Sequence, residues 1–446
     1  MHRHPNVLLA FHNELYDWRL WATRMIVLAF ASLAGLTVVG FTLLSEKALD
    51  SFHTLNALAW WSPLVVTPLF TVGIVWCTRR FAPGAAGSGI PQLMAALSTG
   101  AASTSWFVSL RLTVAKILLT TWGLLAGLSL GREGPSVQIA AGVMHNARRW
   151  LPKGGVVSDH GLLMAGGAAG IAAAFNTPLG GIIFAIEELT RKPEQRSNGL
   201  LMAAIILGGM MAVSVFGNAT YFGVIPVQSV GLSLLGPGLL VALVCGLAGG
   251  LFSRLLIASL SGASTDWFSR QRQRFPVYFA GGCGLAVAVI GLATQGETFG
   301  SGYAHTRGML QGVDDPSKVY VLLKFIATWI TSWSGVPAGI FAPSLAIGGA
   351  IGNDIAGLLH HAQGATLIAL GMAGFLAAVT QAPMTAFVIV MEMVDGHGLV
   401  LSLMACALLS SGVSRLVSVP LYACLADLQL KRLPAAAANV SAAKTA

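Results

Sequence analysis

Charged residues are scarce in this chain: Asp, Glu, Lys and Arg make up 10% of its 446 residues, while 55% are hydrophobic. A soluble protein carries roughly 25% charged residues, so the deficit excludes a soluble domain of any fold. Windows such as 25–45, 161–186 and 197–253 contain no charged residue. A spanning helix needs about 20 such residues. The sequence therefore predicts a membrane protein with room for about ten or more segments.

Paired cysteines and alternating patterns are also lacking. The five cysteines are scattered and form no CxxC pair, so neither a metal site nor a disulfide framework is indicated. Runs such as LLVALVCGLAGGL do not alternate as a membrane strand would. Without such strands, only α-helices can satisfy the hydrogen bonds of backbone N–H and C=O groups inside the lipid. We therefore predict an all-α integral membrane fold, with no metal, nucleotide or other cofactor.

Positive charge is in excess, with a formal net charge of +9. Basic residues cluster between apolar runs, at 79–80, 190–196, 270–274 and 431–432. Such clusters are typical of cytoplasmic loops, which we prefer to nucleic-acid binding as an explanation. Residues 1–24 are too charged for a signal-peptide core and predict an amphipathic helix on the membrane surface.

The chain repeats itself. Residues 116–139 align with 324–347 at an offset of 208 and share seven identities, among them Lys116/Lys324 and Gly131/Gly339. Further matches join 169–188 to 374–393 at an offset of 205, and GSG at 87–89 to GSG at 300–302. A glycine-rich chain gives chance matches, but two consecutive matches with nearly the same offset favour a duplication. Duplicated membrane domains with interrupted helices are a common transporter plan.

The repeat sets the predicted domain organisation. We expect a surface helix at 1–24, a first membrane repeat at 25–215, a connecting segment at 216–229, a second membrane repeat at 230–425 and a short cytoplasmic tail at 426–446.

Three glycine-rich stretches lead into apolar helices: GSGIP (87–91), GREGP (131–135) and GIFAP (339–343). Proline suits the first helical turn, and glycine lets the backbone come close to a ligand. Each stretch therefore predicts a helix N-terminus buried in the membrane, which presents free N–H groups and about half a positive charge. Several such ends would form an anion site without a full cation, and partial charges permit release.

Glu133 lies inside the second stretch, where its repeat partner is Phe341. An intramembrane carboxylate is a functional candidate, because it can occupy the anion site and be displaced by an anion or neutralised by a proton. The alternative is a structural ion pair with a buried cation such as Lys116. For four further acids and one tyrosine, the residues alone favour solvated helix ends or an interfacial ring: Glu187, Glu188, Glu392, Asp395 and Tyr422.

Together with PLYACLADLQL at 420–430, the three stretches resemble the signature stretches of the CLC chloride channel and transporter family, in the same order and over nearly the whole chain. The resemblance implies a CLC-type inverted repeat of many tilted, partly broken transmembrane helices. It also implies a multi-pass homodimer in the bacterial inner membrane, with one pore per subunit. From the short, Ala-rich tail after Tyr422 we expect no CBS domains.

The resemblance also implies roles for single residues. Ser88 and Tyr422 correspond to the side chains that contact the central chloride, and Ile340 and Phe341 to its backbone N–H donors. Glu133 corresponds to the gating glutamate, with the backbone from Arg132 to Gly134 framing the outer anion site. Glu188 corresponds to the inner proton acceptor of family exchangers, which pure channels usually lack.

Two positions depart from the family pattern: Gln92 and Met94 stand where acidic residues are common, which bears on proton delivery to Glu188. By the same resemblance, serine rather than proline at position 88 implies a preference for chloride over nitrate. We therefore predict a chloride/proton antiporter that transports these two ions, is surrounded by lipid and binds no nucleic acid. One alternative is a passive chloride channel on the same fold. The other is a membrane enzyme that uses Glu133 or Ser88, but the sequence contains no HExxH motif and no evident histidine base to support it.

Overall fold

The computed structural model describes residues 17–99, 101–152, 157–189, 199–217, 220–223, 231–262, 264, 266–313, 317–360 and 363–433. Within these residues the chain is helical and forms no β-strand beyond one isolated bridge. The predicted all-α membrane fold is therefore confirmed. The α-helices are α1 (Trp18–Leu58), α2 (Pro63–Phe81), α3 (Ile90–Ser98), α4 (Ala101–Phe107), α5 (Leu110–Leu125), α6 (Glu133–Asn146), α7 (Asp159–Phe175), α8 (Pro178–Phe184), α9 (Gly199–Phe216), α10 (Leu235–Ser261), α11 (Trp267–Arg274), α12 (Pro276–Ala293), α13 (Tyr303–Gln311), α14 (Tyr320–Ser334), α15 (Phe341–Leu358), α16 (Gly364–Thr380), α17 (Pro383–Met393), α18 (Val400–Val417) and α19 (Leu421–Lys431).

Seven helical segments of the described residues are long and apolar enough to cross a membrane, so the protein is multi-pass. Other charge-free windows contain shorter helices, because the chain breaks within them. The window 161–186 is divided between α7 and α8, where Asn176 adopts a left-handed conformation two residues before Pro178. Gln381 and Pro383 divide α16 from α17 in the same way.

Residues aligned by the repeat contact each other or make the same contacts. The N–H of Gly131 donates to the carbonyl of Gly339 at 2.7 Å, and the N–H of Gly339 donates back at 3.1 Å. Such a reciprocal pair is what a two-fold relation between the halves produces. It holds the starts of α6 and α15 side by side.

The two aligned lysines bind the two GSG loops. Lys116 Nζ donates to the carbonyls of Ala85 and Gly87 at 2.8 and 2.5 Å. Lys324 Nζ donates to those of Thr298 and Gly300 at 2.9 and 2.8 Å. Both lysines are fully buried, so these carbonyls offset part of the cost of burying an ammonium group.

The centre of the molecule consists of α6 packed on α7 and α15 packed on α16. Nearly every residue of these four helices is buried. The starts of α6 and α15 therefore lie inside the protein, far from water that could satisfy their N–H groups.

The long helix α1 begins at Trp18, so residues 18–24 of the predicted surface helix continue into the first membrane span. Residues 1–16, the basic loop at 190–196 and residues 434–446 lie outside the described residues.

Candidate functional site

The three glycine-rich stretches begin helices as their sequences predicted. Ile90, Glu133 and Phe341 are the first residues of α3, α6 and α15. The bridge between Gly131 and Gly339 brings two of these starts together. Because the first turns of a helix have free N–H groups and a positive dipole end, the arrangement concentrates partial positive charge at one buried place.

Glycine is required where the start of α3 meets the start of α6. A methyl group on Gly134 would collide with the hydroxyl of Ser88 and lie 2.9 Å from its carbonyl oxygen. Gly89 caps α3 with φ of 111°, a conformation that favours glycine. The side chain of Ser88 is thereby held against the beginning of α6.

Ser88, Ile340 and Tyr422 line one cavity of about 70 Å³, here called the inner cavity. The hydroxyls of Ser88 and Tyr422 are buried and lie close enough to interact with each other, and neither has any other hydrogen-bond partner among the described residues. Buried polar groups are normally satisfied, so these two donors are available to a small anion. The ring of Tyr422 stacks on that of Phe341, with centroids 6.0 Å apart.

The Glu133 carboxylate lies across the meeting point of the two halves. It is 1% exposed, and its Oε2 accepts a hydrogen bond from the N–H of Ala342 at 3.4 Å. Its Oε1 has no partner among the described residues. The carboxylate thus lies against a donor that a helix start offers to an anion.

Among the described residues, Glu133 does not form the structural ion pair that was considered as the alternative. Lys116 binds carbonyl oxygens instead. The Arg132 side chain extends to α1, where Nη1 lies 2.9 Å from Glu46 Oε1, and Nη2 donates to Tyr221 Oη at 3.1 Å. The guanidinium therefore hydrogen-bonds to other groups, although it is close enough to interact electrostatically with Glu133.

Glu188 lies in a π-helical turn, Ala185–Leu189, that continues α8. It is 5% exposed, so the interpretation of Glu188 as a solvated helix end is wrong. Single π-turns are frequent at functional sites. Both Glu188 and Glu133 are close enough to interact electrostatically with the Tyr422 phenol.

Glu187 and Glu392, also interpreted as solvated ends, are only partly buried, but each has a structural role in addition. Glu187 accepts from the N–H groups of Met384 and Thr385 at 3.1 and 2.7 Å. Glu392 accepts from those of Leu179 and Gly180 at 3.2 and 2.7 Å. Each carboxylate thus caps a helix start in the opposite half. The signal was present in the sequence, because the offset of 205 aligns the two acids.

The two departures from the family pattern have structural roles. The Gln92 side chain is buried, accepts from the N–H of Gly89 at 2.8 Å and donates to the carbonyl of Ala86. It therefore braces the loop that carries Ser88. Met94 belongs to the apolar cluster that includes Ala185 and Leu189, which flank Glu188 in its turn.

Two arginines that sequence reasoning assigned only to loops line the inner cavity. Arg272 donates to the carbonyls of Ser259 and Trp333 at 3.1 and 2.9 Å, and Arg432 donates to that of Leu260 at 2.9 Å. These carbonyls end α10 and α14, where cations are favoured. Burial, with Arg432 and Arg79 nearby, lowers the pKa of Arg272 to about 10. It stays charged at neutral pH, so the mouth of the inner cavity is positive.

The fold and the site define a class: a multi-pass membrane protein in two related halves, whose broken helices meet at a small buried cavity. A family model described as "Voltage gated chloride channel" matches residues 69–415. The chain belongs to this family, which confirms the resemblance to CLC proteins.

Relatives and solved structures agree with this assignment. The chain is 31% identical over 362 residues to the "H(+)/Cl(-) exchange transporter ClcA" of Citrobacter koseri, covering 77% of this chain and 73% of the relative. The same figures hold for the protein of that name from Salmonella agona. The structure of a slow cyanobacterial Cl⁻/H⁺ antiporter is similar, with a TM-score of 0.78 and 25% identity over 92% of this chain and 98% of that one. A CLC-type fluoride/proton antiporter shares the fold, with a TM-score of 0.73 and 21% identity over 91% of this chain and 98% of that one.

Proposed function

We propose that this protein is a chloride/proton antiporter. The observation that carries the proposal is the position of the Glu133 carboxylate, buried and accepting from the N–H of Ala342 where two helix starts meet. A carboxylate there occupies the place of an anion. It leaves when it is protonated or when chloride competes for the same N–H groups. The names of the ClcA relatives support the same activity.

The inner cavity supplies the path for chloride. The positive mouth formed by Arg272 and Arg432 raises the local anion concentration. Chloride then binds between the hydroxyls of Ser88 and Tyr422 and the N–H groups of Ile340 and Phe341. These donors carry partial charges only, so the ion is held without being trapped.

Proton movement uses the two buried acids. Glu133 takes up a proton from outside, swings out of the anion path and returns after losing the proton inward through Glu188. The backbone from Arg132 to Gly134 frames the position that Glu133 leaves. Because a second buried acid is unnecessary for passive flow, Glu188 favours exchange over a channel. The sequence contains no evident nucleophile–base pair that would support an enzymatic role, and we propose that the protein is not an enzyme.

The assembly and location follow the family expectation. We propose a homodimer in the inner plasma membrane, surrounded by lipid, with its basic loops in the cytoplasm and with no nucleic-acid partner.

A flux assay in liposomes tests the function. Purified protein is reconstituted with a chloride gradient and no pH gradient, and chloride and proton are followed together. We expect chloride flow to drive protons uphill. Glu133→Ala should leave chloride flow and abolish proton movement, and Glu188→Gln should do likewise. Chloride flow through the unaltered protein with no pH response would identify a passive channel instead.

A further inference from the structure

A second cavity, of about 530 Å³, contains the repeat equivalents of the inner-cavity residues. Ser301 and Arg132, which line it, are aligned by the repeat with Ser88 and Ile340. Tyr221, which also lines it, stands at the same distance after the end of α9 as Tyr422 after the end of α18. We call it the acidic cavity, because Glu46, Asp50 and Glu297 are among its lining residues.

The two cavities differ in charge next to the anion path. The inner cavity has apolar Ile340 where the acidic cavity has Arg132, which directly precedes Glu133. A full positive charge beside the carboxylate would hold it, or a chloride ion in its place, far more tightly than partial charges do. Arg132 is 9% exposed, so water screens this charge weakly.

Glu46 compensates this charge. Its Oε1 lies 2.9 Å from Arg132 Nη1, while the Tyr221 hydroxyl accepts from Nη2 at 3.1 Å. The Glu46 side chain is 48% exposed and reaches the guanidinium from the surface of α1. The guanidinium interacts electrostatically with both Glu46 and Glu133. Arg132 is thus shared between a carboxylate that does not move in the proposed cycle and one that does.

We propose that Glu46 is a positioning residue of the transport cycle, which neutralises Arg132 so that Glu133 is held only by helix starts and can leave them. This inference rests on the proposed antiport. It assigns a function to a residue that touches neither the inner-cavity donors nor Glu133.

The inference predicts a shift in the pH dependence of transport. Without the Glu46 charge, Arg132 stabilises the ionised Glu133, so a higher proton concentration is needed to release it. The pH of half-maximal chloride flux should therefore move to lower pH, by about one unit, the scale on which a neighbouring charge acts on a carboxyl group. The other ionisable groups around Arg132 and Glu133 are Asp50, His53, Tyr221, Glu297, Tyr303, His305, Glu188 and Tyr422.

Asp50 provides a matched control. It lies one helical turn after Glu46 on α1 and lines the same cavity, but it makes no ion pair with Arg132 in the described part of the chain. Asp50→Asn and Glu46→Gln therefore remove the same charge from the same cavity. An exposed, unpaired charge is screened by salt, so Asp50→Asn should shift the midpoint by less than about 0.3 unit.

The experiment measures chloride flux from liposomes against external pH for the full chain and its variants. Glu46→Gln should move the midpoint to lower pH, and the double variant Glu46→Gln/Arg132→Gln should move it back, because no uncompensated charge remains. Equal shifts for Glu46→Gln and Asp50→Asn, no shift, or no return in the double variant would overturn the inference. If Glu46→Gln does not assemble, the double variant and Asp50→Asn decide: both midpoints should match the unaltered protein, and a displaced double variant overturns the inference. If the unaltered protein shows no proton coupling, the proposed antiport itself is refuted.

Discussion

Replacing Gly134 with alanine is the sharpest steric test of the anion site. The added methyl group would collide with the Ser88 hydroxyl and lie 2.9 Å from the Ser88 carbonyl and 3.4 Å from Gly339 Cα. Two of these neighbours are backbone atoms fixed by the starts of α3 and α15. Overpacking of this kind costs about 1–3 kcal/mol. The chain relieves this strain by moving Ser88 out of the site, and since 1.4 kcal/mol is a factor of ten in affinity, we expect chloride binding to weaken by about fivefold to at most about 150-fold.

Isothermal titration of chloride into detergent-purified protein measures this effect. Gly40→Ala is a suitable control, because a methyl group there meets nothing within 4 Å and should leave chloride affinity unchanged. Chloride affinity in Gly134→Ala equal to that of the unaltered protein, with thermal stability also unchanged, would refute the packing of Ser88 against α6 and the place of Ser88 in the site.

Two further predictions use other parts of the structure. Glu187→Gln and Glu392→Gln should each lower the free energy of unfolding by about 1–3 kcal/mol, because each weakens two charge-assisted hydrogen bonds to N–H groups. Thermal unfolding measures both effects, which should be similar. A large effect of one substitution with none of the other would contradict the equivalence of the two caps. Arg432→Ala should slow chloride entry from the cytoplasmic side at low ionic strength, and added salt should reduce the difference, because salt screens the lost attraction; a salt-independent defect in flux assays would argue against steering by charge.

Local sequence patterns predicted the parts of the site that are built locally. Glycine followed by proline determines where α3, α6 and α15 begin, since both residues act through backbone geometry. The repeat aligned Gly131 with Gly339, and the structure shows that these two equivalent residues also pair with each other. Hydropathy did not detect the left-handed residues Asn176 and Gln381, which break two apolar windows into shorter helices.

Contacts distant in sequence were not predictable from composition or periodicity. Glu46 meets Arg132 across 86 residues, and nothing near either residue indicates the pairing. The capping role of Glu187 was missed for a related reason: the helix start that it caps belongs to the other half of the chain. Burial of Glu188 likewise depends on how separate helices pack.

The central claim is that buried helix starts hold the anion and that Glu133 competes for them. The most direct measurement is anomalous diffraction from bromide-soaked crystals of the unaltered protein and of Glu133→Gln. The account predicts bromide between Ser88 and Tyr422 in both, and a further bromide beside the N–H of Ala342 in the variant alone. A Glu133 carboxylate in an ion pair at the lipid boundary, with no bromide near either helix start, would contradict it.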